Sequence, residues 1–142
     1  MTRNGTSQGR TPVAAPAWNR DRYEVTFGFE DLPGIRHLAR AYGSTAGLGA
    51  TRLADFVLAV SECGANALCH GEERAILRLW VASGHVYCEV QGGTWMFRHR
   101  PVVIPPDDVE SLRLWVLQRV CDDIAVSIGS DGTTVLFSMA VR

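Results

Sequence analysis

The hydrophobic residues of this chain follow two different spacings in alternation, and this order constrains the fold more than any other feature. Between residues 23 and 29 every second residue is aromatic or aliphatic, which predicts a strand with one buried face. Residues 32–42 and then 51–70 repeat apolar side chains every three or four positions, which predicts two helices. We expect Gly43 to end the first helix and Gly71 to end the second.

The second half of the chain predicts two hairpins with a loop and a helix between them. Its β-rich runs span residues 74–82, 85–91, 124–128 and 133–141. Only Ser83-Gly84 separates the first two runs, and small residues of this kind are typical of a tight turn. Residues 92–109 lack a sustained period and contain several prolines and glycines, so we expect a long loop or lid. Residues 110–121 return to helical spacing and predict a third helix.

This order of elements predicts an α/β (α+β) fold with two layers. All three helices can cover one face of a mixed, mostly antiparallel sheet, which gives a two-layer sandwich. A chain of 142 residues is long enough to bury one core, so we expect one domain. Residues 1–20 are rich in small and polar side chains without a regular apolar period. We interpret them as a flexible N-terminal tail before a domain at residues 21–142.

Composition excludes several classes of function. A formal net charge of -1 gives no electrostatic support for binding nucleic acid. No apolar run approaches the roughly 20 residues that cross a bilayer, so we expect no membrane association and a cytoplasmic location. The four cysteines are Cys63, Cys69, Cys88 and Cys121. They form no C-x-x-C pair and have no zinc-finger spacing to histidine, so we expect buried, reduced thiols and not metal ligands.

The second predicted helix carries the residues best suited to chemistry. Glu62 and Asn66 are four positions apart, which places a carboxylate and a carboxamide on one face of the helix. A carboxylate can accept a proton from an attacking hydroxyl, and a carboxamide oxygen can coordinate Mg²⁺. Taken alone, such a pair is common on helices and more often has a solvated or capping role.

The surrounding sequence changes this interpretation. The segment from Ser61 to Gly71 resembles the N-box of the GHKL ATPases, and in particular that of the anti-sigma-factor serine kinases of bacterial partner-switching systems. The likeness extends over residues 23–142. Further matching stretches are Leu58-Ala59-Val60, Cys88-Glu89-Val90, Leu114-Trp115, Cys121-Asp122 and Gly132-Thr133-Thr134-Val135.

The resemblance implies a histidine-kinase-like ATPase fold of the Bergerat type. In that fold ATP and Mg²⁺ would lie between the N-box helix, the lid and the sheet. Glu62 would match the catalytic base, and Asn66 would match the Mg²⁺ ligand. Either Thr133 or Thr134 would lie near the adenine. These roles follow from the resemblance and not from the spacing of the residues.

Two stretches depart from the family pattern at the nucleotide site. After Val90 the family places an aspartate that accepts the adenine amino group, followed by one or two glycines. This chain has Gln91-Gly92-Gly93, which retains glycines as candidate nucleotide contacts but contains no carboxylate. The loss of a buried hydrogen-bond partner for the adenine should cost on the order of 1–3 kcal/mol.

The second departure precedes Leu114-Trp115. There the family has a Gly-x-Gly whose backbone N–H groups wrap the phosphates, whereas this chain has Ser111-Leu112-Arg113. Arg113 could contact a phosphate, or it could be an exposed or partner-facing charge on a helix.

Two functions remain open from these residues. The first is a regulator of the partner-switching type, which binds a sigma factor or a STAS-type antagonist and has weakened or lost ATP binding. The second is an active ATP-dependent serine kinase that phosphorylates an antagonist protein. Family precedent suggests a homodimer in either case. A weaker third possibility is that the altered pocket accepts a different small ligand.

Overall fold

The computed structural model describes residues 22–68, 73–92, 109–129 and 132–141. The strands are β1 (Tyr23–Phe27), β2 (Ala75–Ala82), β3 (His85–Gly92), β4 (Asp123–Gly129) and β5 (Gly132–Ala140). The helices are α1 (Leu32–Ala46), α2 (Ala50–Ala67) and α3 (Val109–Val120), with a short 3-10 turn, Phe29–Asp31, before α1. The predicted tail at residues 1–20 and most of the predicted lid lie outside the described residues. No helix within the described ranges is long and apolar enough to span a membrane.

The five strands form one sheet in the order β1-β2-β3-β5-β4. Each neighbouring pair is antiparallel, and the pairing of β3 with β5 joins the two hairpins into a continuous sheet. The α/β (α+β) two-layer prediction is therefore confirmed. One detail of it was wrong, because the sheet is antiparallel throughout its described strands and not mixed.

The core lies between the helices and one face of the sheet. Alternate strand residues face the helices, as the period-two pattern requires. On β2, β3 and β5 the helix-facing core residues are Ala75, Leu77, Leu79, Val86, Cys88, Val90, Val135, Phe137 and Met139. Phe56 and Val60 of α2 and Leu117 of α3 pack into the same cluster. The rings of Phe56 and Phe137 meet edge to face with centroids 6.1 Å apart, an arrangement that aromatic pairs favour.

The opposite side of the sheet, which we call the outer face, carries a second and smaller cluster. It consists of Arg78, Trp80, Tyr87, Glu89, Gln91, Thr134, Leu136 and Ser138, which alternate along their strands with the core residues. Trp80 and Leu136 are its buried apolar members. The sequence pattern did not indicate this separate cluster.

Several predicted boundaries differ from the observed ones. The first strand ends at Phe27 and not at Phe29, because Gly28 enters a turn in which its N–H donates to Asp31 Oδ2 at 2.9 Å. Phe29 is consequently 56% exposed and does not lie on a buried strand face. α2 ends at Ala67, three residues before the predicted end, and Gly71 lies outside the described residues. The remaining helix and strand boundaries, apart from the end of α1, agree with prediction to within one residue.

The end of α1 was predicted wrongly for a tertiary reason. Gly43 lies inside the helix, which ends at Gly47 in the left-handed conformation, with φ 109°. A Cβ at Gly43 would lie 2.8 Å from Leu53 Cδ1 and 3.1 Å from Phe56 Cδ2. Gly43 therefore permits the close approach of α1 and α2, which the sequence pattern alone could not distinguish from a helix stop.

The β2–β3 hairpin has the predicted turn. Ser83 and Gly84 both have positive φ angles, 52° and 75°, as in the type I′ turns that connect antiparallel strands. The Gly84 carbonyl also accepts a hydrogen bond of 2.9 Å from the Val141 N–H. This end of the sheet is thus connected to the end of β5.

The described cysteines are core residues, as predicted. Cys63 and Cys88 are buried and Cys121 is half-buried, while Cys69 lies outside the described residues. Burial raises the pKa of Cys63 and of Cys88 well above the ordinary value. Burial, reinforced by the nearby carboxylates of Asp122 and Asp55, raises the pKa of Cys121 to about 12.

These raised thiol pKa values predict alkaline destabilisation. In the unfolded chain the thiols ionise near their ordinary pKa of 9.0, whereas the folded chain keeps them protonated. The unfolded state therefore binds fewer protons above that pH, so the free energy of unfolding should fall as the pH rises from about 9 towards 12. Urea titrations at a series of pH values would measure this fall in the free energy of unfolding. A Cys63→Ala/Cys121→Ala variant should show a shallower fall, and an equally steep one would contradict the assignment.

Candidate functional site

The last two turns of α2 carry the two residues that the sequence analysis placed first. Glu62 is half-buried, and Asn66, one turn later, is fully buried. α2 packs against β3 and β5, so this end of the helix lies over the central strands of the sheet. The predicted i, i+4 arrangement of Glu62 and Asn66 is present. Of the two side chains, only that of Asn66 is enclosed by the fold.

A close contact joins the end of α2 to the end of β3. A Cβ at Gly92 would lie 2.9 Å from Ala67 Cβ and 3.2 Å from Ala67 Cα and from its carbonyl oxygen. Gly92 pairs with Thr133 of β5, which is fully buried. We call the group formed by Asn66, Ala67, Gly92 and Thr133 the α2–β3 corner. Ala67 was not among the predicted site residues, and nothing in its sequence position indicated this contact.

The structure separates the two threonines that the sequence analysis left as alternatives. Thr133 alternates in phase with Val135 and Phe137, so it lies on the helix-facing side of β5. Thr134 lies on the outer face and pairs with Gln91. Only Thr133 therefore shares the α2–β3 corner with Asn66.

Gln91 also lies on the outer face. Its Oε1 accepts a hydrogen bond of 3.3 Å from Arg78 Nη1, on the side of the sheet away from the helices. The residue that faces the end of α2 is instead Gly92, and Ala67 occupies the space where its side chain would extend. Neither residue brings a carboxylate to the α2–β3 corner, so the adenine contact that the resemblance implies has no acceptor from this stretch.

The stretch that replaces the family's Gly-x-Gly is helical. Ser111-Leu112-Arg113 lies within α3, which begins at Val109. A regular helix directs its backbone N–H groups along its axis and does not form the curved loop that glycines allow. Arg113 is placed on α3 by its backbone, and Gly93 lies outside the described residues. These two predicted cofactor contacts stay predictions.

Asn66 is the only side chain of the α2–β3 corner that the sequence analysis linked to a metal ion. In the described part of the chain, no group of three His, Cys, Asp or Glu side chains could hold a metal ion. Mg²⁺ is commonly held by one or two protein oxygens together with phosphate oxygens. Asn66 is suited to such a role, with Glu62 one turn away on the same helix.

The Ala67–Gly92 contact predicts that Gly92→Ala is destabilising. The new methyl group would lie 2.9 Å from Ala67 Cβ and 3.2 Å from backbone atoms that cannot rotate away. Overpacking of this kind costs about 1–3 kcal/mol. Thermal and urea unfolding would measure the loss. Gly34→Ala is the matched control, because nothing lies within 4 Å of its Cβ position. Equal stability of the two variants would show that α2 and β3 do not meet as closely as described.

Comparison with known proteins agrees with this arrangement. Residues 26–139 match the family model of the histidine kinase-like ATPase domain, a family that in general binds a nucleotide with Mg²⁺. No curated protein sequence matches the chain. The matched residues run from within β1 to the last residues of β5, and so include all three helices and the α2–β3 corner. The chain therefore belongs to the histidine kinase-like ATPase domain family.

Proposed function

We propose that this protein is a regulator of the partner-switching type, resembling anti-sigma factors, which binds a sigma factor or a STAS-type antagonist with weakened or lost ATP binding. The observation that carries the proposal is the α2–β3 corner. Gly92 faces the helix layer there and is covered by Ala67, while Gln91 is directed to the outer face. The family scaffold is retained, but its usual adenine contact has no counterpart in this stretch.

The missing adenine contact should weaken nucleotide binding by roughly one to two powers of ten. An unmade hydrogen bond at a buried polar group costs about 1–3 kcal/mol, and each 1.4 kcal/mol is a factor of ten in the dissociation constant. The helical Ser111-Leu112-Arg113 stretch removes a further means of wrapping phosphates. Binding of a protein partner needs neither contact, so this function tolerates both departures.

The surface of α1 and α2 offers a partner site. Arg36 and Arg40 are exposed on α1, and Arg36 Nη1 lies 3.5 Å from Ser61 Oγ, which connects the two helices beside Glu62. Leu58 of α2 is an exposed large apolar residue. Positive charge beside an apolar side chain suits a partner surface that is acidic at its rim and apolar at its centre.

Capture from the native host would test the partner. The intact protein should retain a sigma factor or a STAS-domain protein, identified by mass spectrometry. Arg36→Glu/Arg40→Glu should reduce that capture strongly, because it reverses two charges on the proposed surface. Arg119→Glu on α3 serves as the matched control. The proposal would be contradicted if the intact protein captured neither a sigma factor nor a STAS-domain protein. It would also be contradicted if Arg36→Glu/Arg40→Glu captured as much partner as the Arg119→Glu control.

A nucleotide titration separates this proposal from the kinase alternative. With Mg²⁺ and ATP, calorimetry should show no saturation below about 1 mM, which corresponds to less than about 4 kcal/mol of binding free energy. The control nucleotides are ADP and GTP. Saturable micromolar binding by the wild-type protein would contradict weakened binding.

The kinase alternative is favoured by one specific observation. Asn66 is buried at the end of α2, where a Mg²⁺ ligand would be held rigidly, and Thr133 faces the same corner. If ATP binds, Asn66→Ala should abolish the binding, whereas Ser61→Ala on the same helix should not. Thermal unfolding of both variants would show whether the fold is retained. Phosphate transfer to an antagonist protein that depends on Glu62 would then establish the kinase.

A further inference from the structure

The sheet ends in two edge strands, β1 and β4, which differ in how well they are protected. Among the described residues, β1 pairs only with β2, and β4 pairs only with β5. An edge strand directs the N–H and C=O groups of every second residue away from the sheet, where another chain can pair with them. Proteins commonly prevent such pairing with short edge strands, charged side chains or proline. Length and charge therefore indicate which edge is open to pairing.

The edge formed by β1 has this protection. The strand is only five residues long, and Glu24 near its middle is 55% exposed. Arg78 of the neighbouring strand holds that carboxylate, with Arg78 Nε 2.8 Å from Glu24 Oε1. The chain leaves the strand at Gly28, directly after Phe27. A short strand with a fixed, exposed charge is a poor template for another strand.

The edge formed by β4 lacks this protection. The strand has seven residues, and its interior sequence, IAVSI, contains neither a charged residue nor a proline. It pairs with β5 in one unbroken register from Asp123 to Gly129, without a bulge. A long, regular and uncharged edge is typical of a strand that pairs with another chain.

On the helix-facing side, β4 also leaves an apolar side chain uncovered. Val126 lies directly opposite Val135 of β5, which is fully buried in the core, so the two side chains share the helix-facing side. Val126 is nevertheless 42% exposed. Its neighbour Ala125, on the other side of the strand, is exposed as well. A further apolar side chain placed beside Val126 would extend the core past this edge.

The sequence of β4 is complementary to a second copy of itself. A two-fold axis at Val126 would pair two β4 strands antiparallel and keep the helices of both copies on the same side of the joined sheet. Each Val126 would then lie opposite its counterpart, and each Ala125 opposite Ser127 of the second copy. Asp123 would lie opposite Gly129, so no two carboxylates would meet.

We propose that β4 pairs with β4 of a second copy of this chain about a two-fold axis at Val126, which joins the two sheets into one. The two Val126 side chains cover each other on the helix-facing side. One pair of strands buries less area than a standard interface, so the dimer dissociates at micromolar concentrations. The pairing is independent of the proposed function, because neither Asn66 nor the exposed side chains of α1 take part in it.

Sedimentation equilibrium of the full chain over about 1–100 μM would measure this association. The wild-type protein should show a monomer–dimer equilibrium. Val126→Lys should raise the dissociation constant at least about tenfold, because two like charges would lie opposite each other at the two-fold axis. Val81→Lys is the matched control, because Val81 is 40% exposed but lies on β2. It should leave the dissociation constant unchanged.

A cross-link locates the contact even if Val126→Lys fails to fold. In Val126→Cys the two new thiols would face each other with Cβ atoms about 5 Å apart, so diamide should oxidise them to a disulfide between chains. Three strand spacings separate β2 from β4 in each copy, and one more joins the copies. The thiols of Val81→Cys would thus be about 34 Å apart and should not join. Wild-type protein treated with diamide gives the background from the native cysteines.

Several results would overturn the proposal. A wild-type protein that stays monomeric over the whole concentration range would mean that β4 does not pair with itself. Growth beyond the dimer would indicate head-to-tail pairing of different surfaces in an open array. A dissociation constant that Val126→Lys leaves unchanged, or that Val81→Lys raises equally, would place the contact elsewhere. Cross-linking of Val126→Cys that does not exceed the wild-type background would do the same.

Discussion

Arg78→Ala should destabilise the protein by about 3–5 kcal/mol, the cost of removing one partner from a buried ion pair. The Arg78 side chain is 17% exposed, and its Nη1 lies 3.2 Å from Oε1 of the buried Glu89. Its Nε also donates to Glu24 Oε1 at 2.8 Å. Without Arg78, the carboxylate of Glu89 would lose this positive charge while remaining inside the outer-face cluster.

Urea unfolding at neutral pH would measure the effect. Arg74→Ala is the matched control, because Arg74 is 53% exposed and lies 3.6–3.7 Å from Glu30 and Asp31. Exposed pairs of this kind contribute about 0–1 kcal/mol. The double variant Arg78→Met/Glu89→Leu should recover most of the lost stability, because it removes both charges together. Similar losses for Arg78→Ala and Arg74→Ala would mean that Glu89 is well solvated.

Phe56→Ala should cost about 3–5 kcal/mol, as expected for the loss of a fully buried aromatic side chain. Its ring is enclosed by three elements. It lies on α2, it meets the ring of Phe137 on β5, and its edge lies 3.1 Å from the Cβ position of Gly43 on α1. Truncation would open a cavity where the helix layer meets the sheet, and the tightly packed surroundings can relax only in part.

The same residue type at another position provides the control for this prediction. Phe29 is 56% exposed, so Phe29→Ala should change the free energy of unfolding by no more than about 0.5 kcal/mol. Both variants can be compared by urea unfolding with a shared m-value. A small loss for Phe56→Ala would show that α1 and α2 can close the gap, and that their packing on the sheet is looser than described.

The proposed partner surface and the outer face lie on opposite sides of the sheet. The α2–β3 corner lies between the helices and the sheet, where the resemblance implies a nucleotide, and the outer face lies on the other side of the sheet. A regulator that has lost nucleotide affinity can still bind a partner through α1 and α2.

Local pattern was sufficient for the order of elements. The period-two runs of β2 and β3, the Ser83-Gly84 turn and the i, i+4 placement of Glu62 and Asn66 all depend on neighbours within a few residues. Such features are properties of the chain segment itself. The sequence therefore predicted the two-layer fold and the residues at the end of α2.

Positions that depend on two distant segments could not be predicted in the same way. Gly43 has the appearance of a helix stop, but its role is set by Leu53 and Phe56 on another helix. Alternation along β5 places Thr133 and Thr134 on opposite faces, but it does not say which face the helices cover.

The sequence by itself determined the strands, the helices and their family likeness, because hydrophobic spacing and turn residues act over short distances. Only the tertiary structure decided that Thr133 and not Thr134 faces α2, that Gln91 is directed to the outer face, and that Ala67 lies against Gly92. These outcomes depend on which surfaces meet when the helix layer packs on the sheet. That choice is made by the burial of the whole core and not by any one segment.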